Sequence, residues 1–95
     1  MKKAVIITTE YRGVFFGYAE DTSGDNINLT NMRNCLYWDA SIGGFMGLAA
    51  VGPNSKCRIG ATCDGELRKV TSVLDVTPVA EKAWLTAPVF TGVND

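Results

Sequence analysis

Alternating apolar and polar positions predict antiparallel strands over most of this chain. Residues 4–9 are small, β-branched or apolar, and the turn sequence "EYRG" separates them from a second strand over residues 14–20. These two segments predict a hairpin. Both sets of alternate positions in the second strand are apolar, with Phe16 on one face and Phe15 on the other. Apolar material is therefore expected on both faces of the sheet.

The sequence "NINLTN" continues the sheet after a turn over "DTSGDN". It alternates strictly and places Ile27 and Leu29 inward, with polar residues between them. We expect this third strand to run on to Trp38, with a bulge near residues 31–33, where the alternation falters.

Two short helices are predicted, one in the middle of the chain and one near its end. Asp39 or Ser41 can cap the first helix, whose apolar residues recur at helical spacing until the Gly-Pro pair at residues 52–53 ends it. Thr77 and Pro78 are typical of the N-cap and first residue of the second helix.

Extended segments lie around the second helix. Residues 56–62 predict a short strand, Asp64 and Gly65 a hairpin turn, and residues 67–76 the last clear strand. Residues 87–93 are expected to be extended and to add an edge strand, because Pro88 argues against a central one.

These elements predict a single α+β domain over residues 1–95. Its four to six antiparallel strands are expected to coil into a small, partly open barrel, with one inserted short helix and a short helix near the C-terminus. The stretch "GVFFGYAEDTSGDNINLTNMRN" resembles the opening strands of Sm-like small barrels, where a bent glycine-containing strand, a loop and an Asn-Leu strand follow in this order. That resemblance favours a barrel of the SH3/Sm type.

Length and charge narrow the choice of partners. A chain of 95 residues buries only about two thirds of the surface that its unfolded form exposes. Packing against a second copy would bury more apolar surface, so we expect a homo-oligomer. Nine Lys and Arg against ten Asp and Glu give a net charge of −1, which argues against an extended nucleic-acid partner. A compact anionic ligand held by two or three cations is compatible with this balance.

The chain lacks residue types and motifs that enzymes and metal sites commonly use. The chain has no His, and Cys35, Cys57 and Cys63 form neither a CxxC pair nor a catalytic motif, so we expect no enzyme, metal site or cofactor. The four apolar residues at 4–7 are too few for a signal peptide or a membrane span. Reduced thiols in the cytoplasm are expected.

An adjacent aromatic pair stands at the end of the third predicted strand. Neighbouring residues of a strand point to opposite sides, so when one ring of the pair enters the core the other faces outward or meets another subunit. An outward ring beside cations suits either stacking a base and pairing its phosphate, or gripping a partner protein. The ligand-binding candidates are Tyr37 and Trp38 with Arg33, Lys56 and Arg58, and a second candidate pair is Tyr11 and Arg12 in the first turn.

A family resemblance is carried by the segments "AVIITTEYRGVFFGYAED", "LTNMRNCLYWDASIGGFMGLAAVG", "KCRI", "VTSVLDVTPVAEKAW" and "APVF". These segments cover nearly the whole chain and resemble a family of small proteins of tailed bacteriophages and prophages whose function is unknown. The chain departs from that pattern at residues 39–41, where the family usually has a Ser-Gly-Ala-type helix start, and at Phe90, where a Trp is common. No role is transferred to Asp39 for this reason.

The resemblance implies a phage-encoded protein of the host cytoplasm and implies no reaction. Our hypothesis is a non-enzymatic accessory protein that counters host immunity, a homo-oligomer that sequesters a nucleotide immune signal such as a cyclic nucleotide. One alternative is an inhibitor that binds a host defence protein complex. The other is a minor structural or assembly protein of the phage.

Overall fold

A computed structural model describes residues 2–10 and 13–90, and within them the chain forms a six-stranded antiparallel sheet and two α-helices. The strands are β1 (Lys3–Thr9), β2 (Val14–Ala19), β3 (Ile27–Tyr37), β4 (Arg58–Ile59), β5 (Cys63–Leu67) and β6 (Val70–Asp75). A 3-10 helix (Ala40–Ile42) precedes α1 (Gly44–Ala50), and α2 (Pro78–Thr86) follows the last strand. The predicted α+β class is confirmed.

The long strand β3 organises the sheet. The strand order is β4-β3-β2-β1-β6, and β5 also pairs with β3, so β5 borders the first half of β3 and β4 its last residues. The sheet is not closed, so the predicted barrel is not confirmed. Strands β5 and β6, two of the three edge strands, are nevertheless consecutive along the chain and are separated by Arg68 and Lys69 alone. The predicted strand over residues 56–62 is reduced to the two residues of β4.

A bulge interrupts β3 where the sequence predicts one. The register with β5 shifts between Leu29 and Met32, and Asn31 has a positive φ of 51°. Because side chains alternate along a strand, one extra residue exchanges the two faces. Ile27 and Leu29 therefore pack in one core, whereas Cys35 packs in the core on the opposite side of the sheet.

The predicted turn at Asp64 and Gly65 is wrong, because both residues lie within β5. They are explained by the bulge opposite them. The carboxylate of Asp64 accepts a hydrogen bond of 2.9 Å from the backbone N–H of Asn31. A side chain at Gly65 would meet Met32 at 3.1 Å. The true turn follows β5, and Lys69 adopts a positive φ of 58° there.

Apolar residues are buried on both faces of the sheet, as the two alternating patterns of β2 predict. One core lies between the sheet and the helices, and its fully buried members include Ile6, Phe16, Leu48 and Trp84. The other core lies on the opposite face and contains Val5, Ile7, Ala19, Ile27, Leu29 and Leu67. We call these the helix-side core and the inner core.

Local sequence positions both helices. The side chain of Asp39 accepts from the backbone N–H of Ser41 and caps the 3-10 helix, and Thr77 caps α2 by accepting from Ala80 with Pro78 as first residue, as predicted. Gly47 is required in α1 because a Cβ there would lie 1.7 Å from the carbonyl oxygen of Ile42. The C-terminal extension makes a single parallel bridge between Val89 and Ile59, and residues 91–93 of the predicted edge strand lie outside the described residues.

A hydrogen bond between Tyr18 and Glu81 ties α2 to the sheet and predicts a pH dependence. The Tyr18 hydroxyl donates to a Glu81 carboxylate oxygen at 2.6 Å. Burial, and then the hydrogen bond and the charge of Glu81, raise the pKa of Tyr18 from 10.0 to about 12. Since the folded state holds the tyrosine proton more tightly than the unfolded chain, this contribution to stability is complete below pH 10 and is lost as the pH rises toward 12.

Ultraviolet titration of tyrosinate in the wild type and in Tyr18→Phe should assign one late-ionising tyrosine to Tyr18. Glu81→Gln should lower its pKa part of the way to the ordinary value, because burial remains. An unchanged titration curve in Tyr18→Phe contradicts this assignment.

Candidate functional site

Three side chains form an exposed cluster at the edge of the sheet. Tyr37 at the end of β3 pairs with Arg58 of β4, and the backbone N–H of Phe90 donates to the Ile59 carbonyl at 2.8 Å, which holds the C-terminal extension beside β4. The Arg58 guanidinium carbon lies 5.6 Å from the centroid of the Tyr37 ring and 5.1 Å from that of Phe90. Both distances fit cation–π contacts. We call Tyr37, Arg58 and Phe90 the edge cluster.

The edge cluster is accessible and carries a positive charge. Tyr37 is 49% exposed and Phe90 is 37% exposed. Among the described residues the ion pairs join Lys3 to Asp75, Arg68 to Glu66 and Lys69 to Glu10, so no described carboxylate neutralises Arg58. An uncompensated guanidinium presents planar donors that match phosphate and carboxylate groups.

The residues that precede the two edge-cluster rings in the chain are exposed apolar residues. Leu36 in β3 and Val89 in the C-terminal extension are each about half exposed. Apolar and aromatic residues around an arginine are typical of the centres of protein interfaces.

Lys56 lies in the loop before β4 and near the turn that follows Trp38. Its backbone N–H donates to the Asn54 side chain at 2.9 Å. Hydrogen bonds from the Ser41 hydroxyl and backbone N–H lower the pKa of Asp39, and the positive charge of Lys56 adds a smaller effect in the same direction. Asp39 therefore acts as a cap with a nearby cation, which gives it a local structural role.

Trp38 points away from Tyr37, as the alternation predicts, and Tyr37 is the outward ring. The Trp38 ring is half-buried, packs against the helix-side core and lines a groove of about 630 Å³. We call this the Trp38 groove; its described lining is Thr8, Thr9, Glu10, Gly13, Val14, Trp38, Phe45, Thr71 and Ser72.

Arg33 is not a surface cation beside the aromatic pair, so its prediction as part of an exposed site is wrong. It is 4% exposed, and its Nε donates to the Gly60 carbonyl at 2.8 Å. Its Nη1 donates to the carbonyls of Trp84 and Ala87, each at 2.7 Å. Burial lowers the pKa of Arg33. The bulge in β3 directs this side chain toward α2, which alternation read without the bulge does not reveal.

Tyr11 and Arg12, the second candidate pair, lie outside the described residues. Their neighbours in the chain, Glu10 and Gly13, both line the Trp38 groove.

The Cys35 thiol is buried in the helix-side core. Burial, and then the nearby Cys57, raise the pKa of Cys35 to about 12, which makes Cys35 a poor nucleophile near neutral pH. Within residues 2–10 and 13–90, no group of three or more His, Cys, Asp or Glu side chains is placed to hold a metal ion. Neither helix in the same ranges has the length and apolar character needed to cross a bilayer.

Sequence reasoning named Tyr37, Trp38, Lys56 and Arg58 as candidates, and the structure places Tyr37 and Arg58 in contact. It did not name Phe90 as a partner of Arg58. The groove residues other than Trp38 were also missed, since they come from segments far apart in the chain.

One comparison with known proteins gives a match. A family described as a domain of unknown function, DUF6948, matches residues 2–84. Comparison with curated proteins and with solved structures finds no match in either. The matched range includes Tyr37, Trp38, Lys56 and Arg58 and ends before Phe90.

Proposed function

The chain belongs to the DUF6948 family, a family of unknown function, and from the geometry of its edge cluster we propose that it is a non-enzymatic, phage-encoded accessory protein that acts by binding. It works in the host cytoplasm as a counter-defence protein. As a homo-oligomer it sequesters a nucleotide immune signal, and the edge cluster contributes the contact to that ligand.

The observation that carries this proposal is the Arg58 guanidinium, held over two half-exposed rings and paired with no carboxylate of residues 2–10 and 13–90. A guanidinium pairs with phosphate oxygens through two parallel hydrogen bonds, and an exposed aromatic face offers a base a surface on which to stack. Lys56, two residues earlier in the chain, supplies a second cation close to this strand. The site needs no catalytic group to hold an anion.

Self-association is supported by the apolar surface around the same residues. Leu36 and Val89, the chain neighbours of Tyr37 and Phe90, are large apolar side chains left about half exposed in a small domain. Covering them with a second copy adds the burial that a chain of this length lacks. Ligand and subunit contacts then lie side by side.

We also propose that the sheet is a partly open barrel of the SH3/Sm type. Two features support this finer description. The edge strands β5 and β6 are separated by only two residues, and the inner core collects apolar side chains from β1, β2, β3 and β5 on one face. A sheet that curls around such a core brings its edge strands toward each other.

The proposal predicts the effect of Arg58→Met on nucleotide capture. Calorimetric titration of the purified protein with cyclic di- and trinucleotides should give a saturable heat for one of them. Loss of the guanidinium should weaken binding by about tenfold or more, because hydrogen bonds to charged groups contribute about 1.5–3 kcal/mol each. Arg68→Met is the matched control, since Arg68 is an exposed arginine outside the edge cluster. No heat with any of these nucleotides contradicts the sequestration proposal.

A second candidate function is inhibition of a host defence complex through the same surface. The exposed Leu36 and Val89 favour it, because a protein partner buries apolar area that a nucleotide does not. Native mass measurements with and without host extract distinguish the two. A homo-oligomer with unchanged protein composition supports sequestration, whereas one host protein bound in stoichiometric amount supports inhibition. A monomer that captures neither contradicts both.

A further inference from the structure

We propose that the Trp38 groove is a second binding site, and that its ligand is a small uncharged ring compound with one apolar face and hydroxyl or amide groups around its rim. Nucleosides and monosaccharides share this chemistry. The site is independent of the edge cluster and of the function proposed for it.

The size and apolar lining of the groove fit one such ring. Its volume of about 630 Å³ falls within the range of small-molecule sites, about 300–1,000 Å³. Val14, Trp38 and Phe45 provide the apolar part of the lining. Trp38 and Phe45 are only half-buried although both pack against the helix-side core. Their remaining ring surface is available to stack on the apolar face of a ligand.

Hydroxyl groups supply the polar part of the lining. Thr8 in β1 shares hydrogen bonds with the hydroxyls of Thr71, at 2.7 Å, and Ser72 in β6. Each hydroxyl has one donor and two acceptor positions, so a cluster of three that bond to one another keeps free acceptor positions. Together with Thr9, this cluster can accept hydrogen bonds from the rim of a ring compound.

The charge of the described lining sets the ligand class. The charged side chain among these residues is Glu10, and Lys69 approaches its carboxylate at 3.7 Å. The carboxylate can still accept hydrogen bonds from paired hydroxyls or from N–H groups, and because Lys69 offsets its charge, the described lining offers a phosphate no unpaired cation. Neutral ligands are therefore favoured over their phosphorylated forms, which separates this groove from the cationic edge cluster.

Nuclear magnetic resonance titration of the full chain tests the proposal with adenosine, guanosine, cytidine and uridine in one arm and glucose, galactose and N-acetylglucosamine in the other. The expected result is a saturable shift of the Trp38 indole N–H resonance by at least one compound. A response in the first arm identifies the ligand as a nucleoside, and a response in the second identifies it as a monosaccharide. Adenosine 5′-monophosphate should bind at least about threefold more weakly than adenosine if the nucleoside arm responds.

Two variants locate the site. Ser72→Ala should weaken the shift of the Trp38 resonance several-fold. Trp38→Phe removes that resonance, so binding by this variant is followed at the backbone amide of Ser72 and should also be several-fold weaker. Tyr37→Ala, which removes the neighbouring ring of the edge cluster, should leave the shift of the Trp38 resonance unchanged. The proposal is overturned if no compound shifts the Trp38 resonance at millimolar concentration, or if the phosphorylated form binds more tightly. It is also overturned if both groove variants bind as the wild type does. Loss of cyclic-nucleotide capture alone affects only the edge-cluster proposal.

Discussion

Replacing Trp84 with alanine is expected to lower the free energy of unfolding by about 4 kcal/mol, a large part of the 5–15 kcal/mol typical of a whole domain. Trp84 is fully buried in α2 and stacks on Phe16 of β2, with ring centroids 5.1 Å apart and planes 6° from parallel. Its indole N–H also donates to the Leu48 carbonyl in α1 at 3.0 Å. One side chain thus joins both helices to the sheet, and its removal leaves a cavity and an unpaired carbonyl.

Urea denaturation followed by circular dichroism measures this loss. Trp84→Phe keeps a ring against Phe16 and removes the indole donor, so it should be less damaging than the alanine variant. Val79→Ala changes an exposed residue of the same helix and should stay within about 0.5 kcal/mol of wild type. A Trp84→Ala midpoint equal to that of Val79→Ala contradicts the role assigned to this ring.

Short-range patterns were sufficient to predict most of the elements. The alternation in β2 predicted burial on both faces, and both cores exist. The Thr77 cap with Pro78 predicted the start of α2 to the residue. These features depend on neighbours in the chain, so a single sequence contains the information.

The failures come from pairing between distant segments. Asp64 and Gly65 have the composition of a hairpin turn, but they pair with β3 and support its bulge through the bond from Asp64 to Asn31. Nothing near Asp64 in the sequence indicates that a backbone N–H at residue 31 needs an acceptor. Local turn chemistry was overridden by a long-range requirement.

The candidate site likewise combines residues that local sequence predicts with contacts that depend on the tertiary structure. Tyr37 and Trp38 were identified because adjacent aromatics at a strand end must diverge, and they do. The partner Phe90 reaches Arg58 only because the C-terminal extension lies along β4. The Trp38 groove combines residues from β1, β6 and α1, and its lining follows from the tertiary structure.

Replacing Arg33 is the second change with a large expected effect. We expect it to lower the free energy of unfolding and not to act through ligand binding. Arg33→Met keeps most of the aliphatic stem and removes donors to three carbonyls, those of Gly60, Trp84 and Ala87. Two of these carbonyls lie at the end of α2, where the helix dipole favours a cation. Unpaired buried groups cost about 1–3 kcal/mol each before relaxation and hydration, so we expect a net loss of about 3 kcal/mol.

The stabilising effect of Arg33 depends on the planar geometry of its guanidinium as well as on its charge. Arg33→Lys keeps the positive charge, but one ammonium group cannot reproduce a planar fork that reaches β4 and α2 at once, so it should recover only part of the loss. Urea denaturation measures both variants, with the exposed Arg68→Met as the matched control. If Arg33→Met unfolds at the same midpoint as Arg68→Met and instead weakens ligand capture, Arg33 belongs to a binding site and its assignment to the core is wrong. The expected order of stability is wild type and Arg68→Met, then Arg33→Lys, then Arg33→Met, because each step removes more of the bonds that hold the end of α2 to the sheet.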